Sequence, residues 1–423
     1  MTDKRPEIRT ISGTAILGEF DYRIAYSTSA DDSRMRLIYA PNGRGKTNFL
    51  RAVDATINST PESLQDLMDI PFQSLTVTFA DASEISIMRE RMLTGAFTAC
   101  ATVGESGISA TIAVDPTAGP SRFLRRLWET KEEFTNYSKV VEQISSGSTY
   151  IGDARLTAPT DDTREAPRGH RAPSDTHGSS ITILLDDVER MLTQAALQGM
   201  ARENSPTGIY TEITRTTLHG SPKITSTDAR LELLDQLQYI LKSGAPLESY
   251  GLLSLRQVRA IESQISDARA NSRHLPSVHA ILKPYLDSQE DQIGKLAPAY
   301  DLINTYVTSV NSFLDKKELA YSPSRGITLI GRNAAHLAPE SLSSGERHLL
   351  LLISQALLAN ASSPLLIIDE PEISLGIEWQ RSLLPELTRC TTTGSVQFLI
   401  ASHSLQVMNT IPREEIVVPK EVK

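Results

Sequence analysis

Cysteine is nearly absent from this sequence. Two thiols, Cys100 and Cys390, in a chain of 423 residues are too few for a disulfide framework. Neither belongs to a Cys-x-x-Cys pair, which excludes a zinc ribbon or zinc hook built on cysteines. The low count suits a reducing compartment, and roughly two to three domains at ~150 residues each bury a core without staples. Long hydrophobic runs are missing as well. The longest, Leu349 to Ile353, is five residues, far below the ~20 that cross a bilayer. Met1 to Gly13 is polar and charged and lacks the apolar segment of a secretory leader. The sequence therefore predicts a cytoplasmic protein with no membrane partner. Positive charge is not in excess either: 42 Lys and Arg against 51 Asp and Glu leave a net charge of −9. That balance excludes a chain that coats nucleic acid along its whole surface. Arg122, Arg125 and Arg126 form the only tight basic cluster, a pattern usual for a solvated helix face.

Strand-like patterning fills the first 115 residues. Alternation predicts strands within 14–40, at Ser74 to Phe79, at Glu84 to Ile87 and across Thr98 to Val114, with one helix from Lys46 to about Ile57. From Ser121 the period becomes helical, with Leu127, Phe134, Tyr137, Val141 and Ile144 on one face, and a short strand follows at Thr149 to Ile151. Leu156 to Ser180 is rich in Pro, Gly, Ser, Thr, Asp and Arg and reads as a flexible loop. Residues 181–316 read as helices broken at Pro206, Pro222, Pro246, Pro276, Pro284 and Pro298. The last of them carries a seam of Leu296, Tyr300, Ile303, Val307, Val310 and Leu314, suited to packing inside its own domain or to dimerisation. The final hundred residues alternate strand and helix: strands at Glu318 to Tyr321, Ile327 to Ile330, Leu365 to Ile368 and Gln397 to Ala401, helices at Gly345 to Leu358 and Trp379 to Leu387. This alternation predicts an α/β fold with a largely parallel sheet.

Four segments carry chemistry. Ala40-Pro41-Asn42-Gly43-Arg44-Gly45-Lys46-Thr47, continued by Asn48, follows a predicted strand and opens a predicted helix, the context of a phosphate-binding P-loop. Backbone N–H groups and the helix dipole would face phosphate oxygens there. Lys46 would reach the β and γ phosphates, and Thr47 would ligate Mg²⁺. Ala40 stands where the motif usually begins with Gly. In Leu365-Leu366-Ile367-Ile368-Asp369-Glu370 an apolar strand ends in two carboxylates, placing Asp369 for Mg²⁺ and Glu370 as general base. Phe398-Leu399-Ile400-Ala401-Ser402-His403 is a second apolar strand, and His403 at its end is a candidate sensor of the γ-phosphate. Leu342-Ser343-Ser344-Gly345-Glu346-Arg347 precedes an apolar helix, with Ser343 as its N-cap and the first turn as an anion site.

In this order APNGRGKT, LSSGERH, LLIIDEPE and LIASHS resemble the Walker A, signature, Walker B and switch-histidine motifs of ABC-type ATPases. The 299 positions from Lys46 to Gly345 exceed a compact transporter cassette, and the arrangement resembles the SMC-like, RecF-like and OLD-like branch, whose split head carries a helical insertion. DEPEISLGIEWQRSLLPEL followed by QFLIASHS is similar to the ATPase subunits of bacterial anti-phage systems such as Septu, certain retrons and PARIS. Gly376 replaces the His usual after SL in that pattern, and Gln73 and Gln143 are the candidates for a Q-loop. The resemblance implies a P-loop NTPase of ABC type with an N-terminal lobe over 1–155, a helical insertion over 156–317 and a C-terminal lobe over 318–423. It further implies two ATP molecules sandwiched in a homodimer, with Asn42 to Asn48 in cis and Ser343, Ser344, Gly345 and Glu346 acting in trans. Only 20 residues follow His403, so an effector nuclease or toxin is expected on a partner chain. The alternative is a RecF-like or SMC-like DNA-repair ATPase that clamps DNA when ATP binds.

Overall fold

A computed structural model of the chain describes residues 6–26, 34–90, 92–104, 106–114, 131–152, 180–201, 214–215, 224–270, 272–362, 365–391 and 396–422. The loop expected over 156–180 lies, apart from its last residue, outside the described residues, as do Leu127 and the Arg122, Arg125 and Arg126 cluster. Contacts divide the chain into two compact units, Met1–Leu184 with Leu342–Lys423, and Leu185–Ser341.

The first unit holds two sheets. Strands β1 (Ile8–Ile16), β2 (Phe20–Ala25), β4 (Ser74–Phe79), β5 (Glu84–Met88), β6 (Phe97–Thr102), β7 (Ser109–Val114) and β15 (Lys420–Glu421) form an antiparallel sheet in the order β15-β2-β1-β4-β5-β6-β7. One face is buried, so β4 alternates with Leu75, Val77 and Phe79 inward. Most of β1 precedes the span expected to be strand: Ile8, Ile11 and Ile16 are buried although polar residues separate them. The stretch Thr98 to Val114 resolves into the hairpin β6–β7. The second sheet is parallel, in the order β14-β3-β13-β12-β8, from β3 (Met35–Tyr39), β8 (Ser148–Ile151), β12 (Leu365–Asp369), β13 (Gln397–Ser402) and β14 (Ile416–Val417). Every residue of β12 and β13 is buried, as strands covered on both faces require.

Helix α1 (Lys46–Asn58) lies in one core with both sheets: its Phe49, Leu50 and Val53 share a buried cluster with Leu75, Ile85, Ile367 and Leu399. Helices α2 (Pro61–Asp69) and α3 (Lys131–Ile144) add Leu64, Leu67, Tyr137 and Val141 to the same cluster.

The second unit contains most of α4 (Ser180–Ala201), then α5 (Ser226–Ser249), α6 (Arg256–Asp267), α7 (Leu275–Asn311) and a small antiparallel sheet of β9 (Glu318–Ser322), β10 (Gly326–Ile330) and β11 (His336–Leu337). Leu233, Leu237 and Ile240 of α5 meet Val258 and Ile265 of α6 and Leu286 of α7 in its core. Three prolines expected to break helices do not: Pro246 lies within α5, and Pro284 and Pro298 within α7. Each removes one backbone donor from a long helix whose buried stripe fixes its course, so packing overrides propensity. That stripe includes Leu296, Ile303, Val307 and Val310, buried within the single chain, so the seam packs internally and is not left open for a second copy. Strands β9 to β11 group with these helices, whereas the sequence placed them in the C-terminal lobe. The side chain of Asn311 donates to Leu319 O at 2.9 Å and accepts from Leu319 N at 2.7 Å, while Glu189 accepts from Ile327 N at 2.8 Å. No helix among the described residues is long and apolar enough to cross a membrane.

Candidate functional site

The C-terminal ends of three neighbouring parallel strands converge: β3 runs into the P-loop, β12 ends at Asp369 and β13 leads to His403. This edge is where open parallel sheets place their ligands. Gly43 and Gly45 adopt φ of 83° and 77°, the left-handed region that a side chain resists. A Cβ at Gly45 would also lie 2.9 Å from Ile16 Cγ2, so no other residue fits. The turn aims the N-terminus of α1 at the loop's mouth. Buried Lys46 donates from Nζ to Ala40 O at 2.6 Å and to Pro41 O at 3.2 Å, curling the loop around its own ammonium, while Thr47 beside it is exposed. Arg44 is held from outside: its guanidinium covers the Phe20 ring at 5.0 Å and pairs with Glu421 at 2.8 Å, and Tyr22 donates its hydroxyl to Arg44 O at 2.6 Å. Tyr22 in turn stacks on Phe49 of α1 with ring centroids 4.4 Å apart.

Asp369 is buried at the end of β12, and burial raises its pKa; the neighbouring Thr47 and Tyr150 hydroxyls and the Lys46 charge oppose that rise. Asp369 Oδ1 is buried without a hydrogen-bond partner. Two hard oxygen donors with a carboxylate oxygen unspent fit Mg²⁺. Glu370 is next along, in the left-handed region at φ 50°, uncommon for a residue with a side chain and a mark of a backbone held by its surroundings. Its N–H donates to Ala401 O at 2.8 Å. His403 Nδ1 lies 3.6 Å from Glu370 Oε1 and 3.1 Å from Glu372 Oε1.

The signature segment opens α8 (Ser344–Ser362) through a reciprocal capping box. Glu346 N donates to Ser343 Oγ at 3.3 Å, and Ser343 N donates to Glu346 Oε2 at 2.7 Å. Glu346 is thus turned inward on its own helix start. A Cβ added to Gly345 would lie 2.8 Å from Ser374 O and 3.0 Å from Trp379 Cζ3, so the signature turn sits against the segment that follows β12. Gly376 caps α9 (Ile377–Cys390) with open space around its Cα.

The structure brings together Lys46, Thr47, Asp369, Glu370 and His403. The two glutamine candidates fall elsewhere: Gln73 gives its side-chain amide to Arg89 O in the antiparallel sheet, and Gln143 is exposed on α3. Two residues at the site carried no sequence assignment. Tyr150 of β8 donates its hydroxyl to Asp369 Oδ2 at 3.4 Å, and its own pKa is raised, chiefly by burial. Glu372 is buried against the loop that carries His403. Its only sequence signal is a second acidic residue after Pro371 in LLIIDEPE.

A parallel sheet with a P-loop on one strand, an acidic end two strands away and a histidine strand between them defines an α/β P-loop ATPase fold of ABC type with a helical insertion. Residues 242–409 match the family model described as AAA domain, putative AbiEii toxin, Type IV TA system. That span takes in the signature, acidic strand and switch histidine; the P-loop lies outside it. The chain is similar to the retron Vc95 probable ATPase of Vibrio cholerae serotype O1 biovar El Tor, with 28% identity over 131 residues, 28% of this chain and 24% of that protein. It is also similar to the retron Ec83 probable ATPase of Escherichia coli, with 31% identity over 169 residues, 37% of this chain and 28% of that protein. These alignments span about a quarter of each relative's length. Among solved structures, the Smc head domain with an extended coiled coil from Pyrococcus furiosus, bound to the C-terminal domain of ScpA, aligns over 99% of this chain and 96% of that one at 11% identity and a TM-score of 0.38. The SMC head domain from Thermotoga maritima aligns over 99% of each chain at 10% identity and a TM-score of 0.34. The retron matches bear out the resemblance to retron-associated ATPases.

Proposed function

We propose that this chain binds and hydrolyses ATP with Mg²⁺, and that two copies close on two ATP molecules as the sensor and regulatory subunit of an anti-phage defence complex. The nuclease or toxin of that complex is supplied by a partner chain. One observation carries the ATPase reading: the buried Asp369 carboxylate at the end of β12, with one oxygen unspent, comes together with Lys46 and Thr47 of the P-loop, far apart in sequence, with Glu370 and His403 alongside. Similarity to the two retron probable ATPases supports the defence setting.

The chemistry follows from the groups present. Backbone N–H groups of the P-loop and Lys46 bind the β and γ phosphates and neutralise charge that grows on them as the bond breaks. Thr47 and Asp369 would hold Mg²⁺, which supplies further charge neutralisation on the phosphate oxygens. Glu370 orients a water and takes its proton as the water oxygen bonds to the γ-phosphorus and the bond to the β–γ bridging oxygen breaks. His403 contacts the γ-phosphate. The start of α8, with Ser343 and Ser344 exposed and Gly345 buried beside them, offers an anion site to the nucleotide of the second copy.

The test is phosphate release by the purified chain. The wild type releases phosphate, Lys46→Ala loses both binding and turnover, and Glu370→Gln binds ATP without turnover. Absence of release from the wild type, alone and with its partner chain, would overturn the ATPase reading.

A further inference from the structure

We infer that Glu372 is a positioning residue that fixes both the backbone and the ring tautomer of His403; its consequence for ATP rests on the function proposed above. After β12 the chain turns tightly, with Ile373 N donating to Glu370 O at 3.2 Å and Leu375 N to Glu372 O at 3.1 Å. The turn sends the Glu372 side chain, only 5% exposed, under the end of β13. There a single oxygen, Oε1, accepts from Ser402 Oγ at 2.6 Å, His403 N at 2.9 Å and Ser404 N at 3.1 Å, and lies 3.1 Å from His403 Nδ1.

A buried carboxylate is costly unless its charge is matched by donors. All the donors this one has on Oε1 come from three consecutive residues centred on His403. The histidine loop and the acidic strand are therefore locked together at one atom. Ser404 extends the lock, since its hydroxyl donates to Gln380 Oε1 at 2.7 Å and accepts from Gln406 N at 3.1 Å, which starts the short helix α10 (Leu405–Met408).

An ionised carboxylate only accepts hydrogen bonds, so the Nδ1 facing Glu372 carries the hydrogen. That leaves Nε2 as the ring atom for the γ-phosphate, to which it donates as the imidazolium, with both ring nitrogens protonated. Glu370, at 3.6 Å from the same Nδ1, is beyond hydrogen-bond range and keeps its carboxylate for water. Two acidic residues two positions apart thus divide the work: Glu372 holds the histidine and Glu370 serves the reaction.

The first measurement needs no nucleotide. In the ¹⁵N-histidine-labelled full chain above pH 8, with His403 assigned by comparison with His403→Ala, the His403 ring is in the Nδ1–H tautomer and Glu372→Gln shifts its Nδ1 resonance. An Nε2–H tautomer in the wild type, or a resonance unmoved by Glu372→Gln, would overturn the inference. The second measurement is affinity for ATP and for ADP. Glu372→Gln and His403→Ala each reduce the preference for ATP over ADP by the same factor, about ten- to hundredfold for one hydrogen bond to a charged group. The double variant loses no more than either single one, because Glu372 acts through His403. Additive losses would overturn the positioning role. A wild type that binds no ATP while its tautomer is as stated would count against the ATPase reading and leave the Glu372 assignment standing.

Discussion

Adding one methyl group at Gly345 tests whether the signature turn is seated as described. The new Cβ would lie 2.8 Å from Ser374 O, a backbone atom, and 3.0 Å from the Trp379 ring. Real Cβ atoms do not approach backbone oxygen so closely, and Ser374 has little room to give, since it already sits in the left-handed region at φ 64°. Overpacking of this kind costs about 1–3 kcal/mol. In a unit of this size each kcal/mol moves the melting temperature by roughly 2–4 °C. Gly376 serves as the control: it follows Ser374 by two positions, no atom comes within 4 Å of its added Cβ, and its φ of −66° suits any side chain. Thermal melting of Gly345→Ala and Gly376→Ala side by side should show a clear loss for the first and little change for the second. Nucleotide-dependent association should weaken in Gly345→Ala as well, because the first turn of α8 must shift by a few tenths of an ångström. Equal melting temperatures for the two variants would refute the packing argument.

Three further outcomes follow. Ser343→Ala removes one half of the capping box and leaves Glu346 N without its acceptor, so it should cost about 1 kcal/mol by chemical denaturation, with Ser344→Ala nearly neutral. Burial raises the pKa of Asp369 in the folded chain, so the native state takes up this proton more readily than the unfolded one. Its contribution therefore favours folding below the unfolded pKa and is lost as pH rises through the folded one. Asp369→Asn should then melt no lower than wild type at neutral pH without metal, and should lose the stabilisation that Mg-ATP gives the wild type; a strongly destabilised Asp369→Asn would contradict this. Leu237→Ala empties a fully buried position in the core of the second unit and should cost about 2–5 kcal/mol, read from the hydrogen exchange of α5 to α7.

The parts of this molecule that are coded locally were legible from the sequence. Gly43 and Gly45 supply the left-handed turns of the P-loop, Ser343 and Glu346 are spaced as a capping box, and the apolar runs Leu365 to Ile368 and Phe398 to Ala401 announce strands buried on both faces. What depends on distant contacts was not. The isoleucines of β1 have no clean alternation, and their burial follows from pairing with β2 and β4. Strands β9 to β11 look like a continuation of the C-terminal lobe until Asn311, Glu189 and Thr193 are seen to hold them among the helices. Pro284 and Pro298 argue for breaks that a 37-residue helix with a buried stripe does not make. At the site, Tyr150 reaches Asp369 across 219 positions and Glu372 reaches Ser402 across 30. A short motif carries no trace of either partner.

The central claim is a composite ATP site closed by two copies of the chain, and the solution mass of Glu370→Gln tests it most directly. Without turnover, the closed form should accumulate when Mg-ATP is added. Sedimentation or light scattering should then show the mass rise from 46.4 kDa to about twice that value, and Ser343→Ala in the same background should weaken the change. A mass that stays constant while ATP binds, or a large assembly already formed without nucleotide, would contradict the account.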